Sequence, residues 1–162
     1  ACQTENLAVN ATASASSNLM ASGPELVNDG KLETSWLPEE TEGAWLELRF
    51  DKPTAINEFK IHEHPNSTIT RYTIEYWDME DERWRSCFNG NAITGRAIVV
   101  ENGRWGMGFT APIVERTTDK VRLVVNRTET GRCRIDEFAA YHDLTPYPRL
   151  GIDVWYQLPD SE

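Results

Sequence analysis

The residues best equipped for chemistry sit in Leu26–Trp36 (LVNDGKLETSW), where Asp29-Gly30 forces a tight turn and Thr34 and Trp36 follow closely. The Asp29 carboxylate and the Thr34 hydroxyl are hard oxygen donors, and a short turn aims backbone carbonyls inward. Hard cations such as calcium take about six to eight oxygens of this kind. Trp36 is placed to plug the core beneath the turn. Taken alone, the segment is also what any Asp-Gly turn backed by a tryptophan looks like.

Other patterns fail as catalytic signatures. His62-Glu63-His64 partly matches a zinc-protease helix, but the partner histidine is needed at position 66, which is Asn66. The segment also reads as the end of a strand. A His-x-His metal pair stays open beside a polar loop contact. Gly106-Met107-Gly108-Phe109-Thr110-Ala111 spells GxGxxA, yet Pro112 follows at once and no helix begins there. His142 stands next to Asp143, but no serine or cysteine nucleophile can be placed near it. No catalytic residue is assigned. Three sequons, beginning at Asn10, Asn66 and Asn126, would matter only in a eukaryotic source and are explicable by chance.

The elements that must position these residues are β-strands. Trp45–Phe50 (WLELRF) alternates apolar and charged residues, and Ala55–His64 (AINEFKIHEH) does so with Ile56, Phe59 and Ile61 inward. Arg71–Trp77, Arg96–Val100, Lys120–Asn126 and Ile135–Tyr141 complete the set, and Trp84–Phe88 is a further strand holding a buried Cys87. Asp51-Lys52-Pro53, Pro65-Asn66, Asn89-Gly90-Asn91, Asn102-Gly103 and Thr130-Gly131 separate them. No stretch holds a helical period. Short strands at this spacing predict an all-β sandwich or barrel.

Composition narrows the function. At 162 residues the chain suits one domain with a substantial core. Acidic residues outnumber basic ones 26 to 16, for a formal charge of −10. That balance argues against nucleic acid and anionic membranes, whose binding needs basic patches. Apolar runs such as Ala97–Val100 are far too short to span a membrane. Three cysteines, Cys2, Cys87 and Cys133, are too few for a disulfide scaffold. Cys2 either bonds Cys133 in an oxidising compartment or is the acylated first cysteine of a bacterial lipoprotein, the reading preferred here. Both place the protein outside the cell or on its surface.

The ordered set of segments resembles a discoidin, or coagulation factor 5/8 type C, domain of the galactose-binding-like jelly-roll class. The nearest kin are bacterial carbohydrate-binding modules of family thirty-two. The matching pieces are Asn6–Ser17 (NLAVNATASASS), Leu26–Trp36, Ala44–Pro53 (AWLELRFDKP), Ile56–Ile61, Tyr72–Trp84, Val121–Val125 and Glu137–Tyr141 (EFAAY). His62–Trp77 and Gly131–Tyr141 are also similar to discoidin-like domains that trail bacterial α-L-fucosidases, whose catalytic residues lie in a separate barrel. The resemblance implies a leader at residues 1–5, a jelly-roll β-sandwich over 6–143 and an extension over 144–162.

It implies site residues too. Structural calcium would be held by the side chains of Asp29, Thr34 and Glu137 and by the carbonyls of Leu26, Lys31, Thr34 and Asp136. Sugar would be met on loops at one rim, by an aromatic face for pyranose C–H bonds and charged groups for paired hydroxyls. The loops offer Glu63, His64 and Arg71, then Asn91 and Arg96, then Arg132, with Trp105 as the aromatic. Trp36, Trp45 and Trp84 match core positions of the family. The implied protein is a non-catalytic module for galactose- or fucose-type glycans, attached to a catalytic domain or complex. A protein- or cell-adhesion discoidin domain with exposed apolar loop tips is the alternative, and an unrecognised hydrolase a more distant one.

Overall fold

The computed structural model describes residues 5–31, 33–64, 67–91, 98–101 and 104–144. A 3-10 turn over Leu7–Asn10 leads into β1 (Thr12–Ala15), and a second such turn covers Pro24–Val27. The remaining strands are β2 (Trp45–Glu63), β3 (Ile69–Asp78), β4 (Arg83–Gly90), β5 (Ile98–Glu101), β6 (Arg104–Thr128) and β7 (Ile135–Tyr141).

All-β character and several strand positions follow the sequence expectation, and β7 coincides with it in full. The expected break at Asp51-Lys52-Pro53 does not occur. One long strand, β2, runs through it, and pairing with β6 slips register between Arg49 and Thr54. Exposed Pro53 sits in that slip, where its missing N–H leaves no ladder bond unmade. Both long strands bend here and pass from one layer to the other. The first layer holds β1, the start of β2, the end of β6, β3 and β4. The second holds β7, the end of β2, the start of β6 and β5. Hydrogen bonding is therefore continuous through seven strands although the architecture is a β-sandwich.

Alternation on each strand fills the space between the layers. Leu46, Leu48, Ile74, Val121 and Leu123 from one layer share a cluster with Phe59, Ile61, Ala111 and Phe138 from the other. Phe59 and Phe138 stack with centroids 5.6 Å apart. Trp36 is fully buried and its indole N–H donates to the Ser17 carbonyl at 2.9 Å. Trp45 and Trp84 depart from their expected core positions. Both are half-buried on outward-facing strand positions, where Trp84 meets Trp77 edge-on and the Arg122 guanidinium lies 4.2 Å from its centroid.

Cys133 is buried, and its expected partner Cys2 lies outside the described residues. Burial pushes the Cys87 thiol up to about 12 and raises Cys133 as well, keeping both in the unreactive protonated form.

At the end of β4, Gly90 is buried against the Tyr72 ring, and any β-carbon there would run into that ring. Tyr72 is itself fully enclosed and cannot swing away. Gly90→Ala is expected to lower the unfolding free energy by about 1–3 kcal/mol, the usual cost of overpacking. Urea denaturation measures it, and an unchanged midpoint would refute the packing account.

Candidate functional site

The crossing of β2 and β6 between layers brings several loops to one rim. β2 ends at Glu63 beside Ile135 of β7, and β3 begins at Ile69 beside Thr128 of β6. His64, Ser67 and Thr68 therefore lie beside the 129–134 loop. Backbone bonds sew them together: His64 N–H donates to the Arg134 carbonyl at 3.0 Å, Thr68 N–H to Arg132 at 3.1 Å, and Glu129 N–H to Thr68 at 2.9 Å. The Thr68 and Thr130 hydroxyls share a further bond at 2.7 Å. β4 leaves the first layer at the same rim, where Gly90 pairs with Tyr72, and β2 enters there at Trp45.

Of the expected sugar contacts, Arg71, Asn91 and Arg132 are exposed, and His64 is half-buried with its backbone fixed on both sides. Arg96 lies outside the described residues, and Trp105 is described only by its backbone pairing with Val100. Glu63 departs from expectation. It is fully buried, and its Oε2 accepts from the Ile69 N–H at 2.9 Å, closing the loop from inside. Strand alternation explains the placement, since Glu63 shares the inward parity of Phe59 and Ile61.

The Asp29 turn and the last strand do meet. The Gly30 N–H donates to Glu137 Oε2 at 3.2 Å, and Gly30 holds a φ of 77° that suits glycine. Asp29 accepts from the Lys31 N–H at 2.9 Å and from the Thr34 hydroxyl at 2.5 Å. Asp29 and the Thr34 hydroxyl bond each other, and Glu137 holds the adjacent Gly30 backbone; carboxylate and hydroxyl oxygens of this kind suit a hard cation. Among the described residues no three His, Cys, Asp or Glu side chains gather as a metal site. An ion here would need neutral oxygens as well, the role open to the carbonyls of Leu26, Lys31, Thr34 and Asp136. The Asp136 side chain is occupied elsewhere, buried and accepting from the Ser35 hydroxyl.

Two rim features were missed from sequence. A recess of about 250 Å³ is lined by Ser16, Ser17, Glu39, Glu40 and Glu42. Its only visible signal was the Glu39-Glu40 pair after Trp36. Beside it, a turn over 19–22 is held by Leu19 N–H to the Leu37 carbonyl at 2.8 Å and Ser22 N–H to Leu19 at 3.0 Å. Ala21 takes a positive φ of 64°, and Met20 at 95% and Leu19 at 46% exposure stand at the tip.

Residues 10–138 match the F5/8 type C domain, which is most of the chain. The chain belongs to that family. No curated protein sequence matches it. Among solved structures, the F5/8 type C chain is similar to the family 32 carbohydrate-binding module of Clostridium perfringens NanJ in complex with galactose, at 16% identity and TM-score 0.68, covering 86% of this chain and 100% of that one. Chitosan-binding module 1 of a Paenibacillus sp. IK-5 chitosanase/glucanase gives 22% identity and TM-score 0.70, covering 85% and 99%. A Ruminococcus gnavus GH29 fucosidase solved with fucose gives 19% identity and TM-score 0.68 over 85% of this chain, which spans only 26% of that enzyme. At these identities the likeness establishes the fold.

Glu63→Ala would leave the buried Ile69 N–H without its acceptor, an expected loss of about 1–3 kcal/mol, whereas Glu63→Gln keeps an amide oxygen there and loses less. Urea unfolding of both variants checks this. Equal losses in the two would remove the hydrogen bond as the reason for burying this carboxylate.

Proposed function

We propose that this F5/8 type C domain is a non-catalytic module that binds terminal galactose- or fucose-type sugars at the rim where His64, Thr68, Asn91 and the 129–134 loop lie. The supporting observation is the pairing of sewn-together loop backbones with outward Arg71, Asn91 and Arg132. Family 32 neighbours solved with sugars support it as well. His64 and Arg132 would share hydrogen bonds with ring hydroxyls, and Trp105 would offer the stacking face. Glu63 is left out because it is enclosed. Calcium is proposed as a structural ion held by Asp29, Thr34 and Glu137 with the turn carbonyls, joining the early loop to β7.

A small polar rim of this kind binds on the order of millimolar to micromolar. Tethering to an enzyme or presentation in several copies would raise its effective affinity. A second reading, an adhesion domain, is favoured by the Leu19–Met20 tip. Met20→Ser would then reduce adhesion to cells and leave sugar binding intact.

Calorimetric titration against galactosides, fucosides, uronic polymers and chitosan oligomers tests the main reading. Galactose or fucose should bind, and Arg132→Ala should weaken binding about tenfold or more without lowering Tm. Binding confined to amino sugars would move the site to the recess lined by Glu39, Glu40 and Glu42. Silence across the panel would remove the glycan role.

For the metal, millimolar calcium should raise Tm relative to chelator, because an ion that binds only the folded state stabilises it by mass action. Glu137→Gln should abolish the rise. No calcium response in the unaltered protein would refute the ion.

A further inference from the structure

Resting on the metal reading above, we infer that Arg134 is a positioning residue that couples the Asp29–Thr34 turn to the ligand-binding rim. Arg134 joins three segments far apart in the chain. Its Nε donates to the Ser35 hydroxyl oxygen at 2.9 Å, and its backbone N–H donates to the Ser67 hydroxyl oxygen at 3.0 Å. Its carbonyl accepts from the His64 N–H at 3.0 Å. The side chain thus reaches the turn while the backbone holds the loop that carries His64.

The contact with Ser35 has one workable polarity. Ser35 is buried at 4% exposure, and its single proton goes to Asp136, which leaves a lone pair for the guanidinium. Rotating that hydroxyl gives up the bond to Asp136, so Ser35 is held in place. It directly follows Thr34, whose hydroxyl bonds Asp29, and precedes Trp36, whose N–H and C=O exchange bonds with Ile135 at 2.8 and 3.1 Å. Together with Gly30 to Glu137, these contacts make Gly30, Thr34, Ser35, Trp36 and residues 134–137 one clamped unit. An ion that fixes the oxygens of Asp29 and Thr34 also fixes Ser35. Ser35 fixes the Arg134 side chain, whose backbone defines where His64 and Ser67 sit. Coupling through a packed, hydrogen-bonded chain of this kind has a typical strength of about fivefold to 150-fold in affinity, and it is reciprocal.

Amide hydrogen exchange by NMR on the full chain, with calcium chloride as the sole probe against chelator, tests this. In the unaltered protein, calcium should raise protection of the Gly30 amide and, about fivefold or more, that of Ser67 and Thr68. Arg134→Met keeps both backbone bonds and loses only the guanidinium link. In it, calcium should still protect Gly30 while the Ser67 and Thr68 response disappears. Ser35→Ala should do the same, and Arg134→Lys, which keeps one N–H donor in reach, should restore part of the response. Calcium protection at Gly30 with an equal rim response in Arg134→Met would overturn the coupling and leave the ion standing. No protection anywhere in the unaltered protein would overturn both.

Discussion

Two strands, Trp45–Glu63 and Arg104–Thr128, run antiparallel through a shared bend, and nearly everything else in the molecule is placed by that pairing. Each strand gives one half to each layer, so β3 and β4 can extend one sheet while β5 and β7 extend the other. The bend needs a residue that can leave the ladder without stranding a donor, and Pro53 does so at the register slip. Because the strands cross over, the end of β2 and the start of β3 fall at the same rim. The loops joining them to β6 and β7 fall there too.

That rim is heavily hydrogen-bonded beneath its surface. Short loops without such anchorage open easily. Here Thr68 is bonded to Arg132, Thr130 and Glu129, while Glu63 anchors Ile69 from within. The Asp29 turn is tied to β7 by Gly30, Ser35 and Trp36 in succession. The backbone at His64, Thr68 and the 129–134 loop is thus fixed by the fold, while Arg71, Asn91 and Arg132 stand exposed.

Much of the fold was legible because alternation is a local signal. Ile135–Tyr141 was read in full, and Ile56, Phe59 and Ile61 were assigned inward by parity alone. The same parity puts Glu63 on the core face, yet its charge and its position at a loop made it look like a ligand contact. A buried carboxylate is stable only with a partner, and that partner, the Ile69 N–H, cannot be seen before the loop closes. Trp45 and Trp84 erred in the other direction. The family resemblance put them in the core, whereas their strand positions face outward and rely on Val124, Trp77 and Arg122 as neighbours. The meeting of Asp29-Gly30 with Glu137 could be reached only through the family resemblance, since the two lie 107 residues apart.

A sewn rim also bears on how such a domain can recognise anything as small as one sugar. Association loses translational and rotational freedom whatever the ligand, and a monosaccharide offers few atoms to offset that loss. Any further cost of ordering loops on binding would erase the remainder. Fixing Thr68, Arg132 and Arg134 by backbone bonds moves that cost into folding, where the shared core of both layers offsets it. In the proposed site, side-chain rotamers at Arg71, Asn91 and Arg132 would still have to order when a sugar arrives, at about 0.5–1.5 kcal/mol for each rotamer-rich side chain. On this account the buried hydrogen bonds beneath the rim matter to affinity as much as the exposed groups upon it. Selectivity can change by substitution at the exposed positions without disturbing the frame.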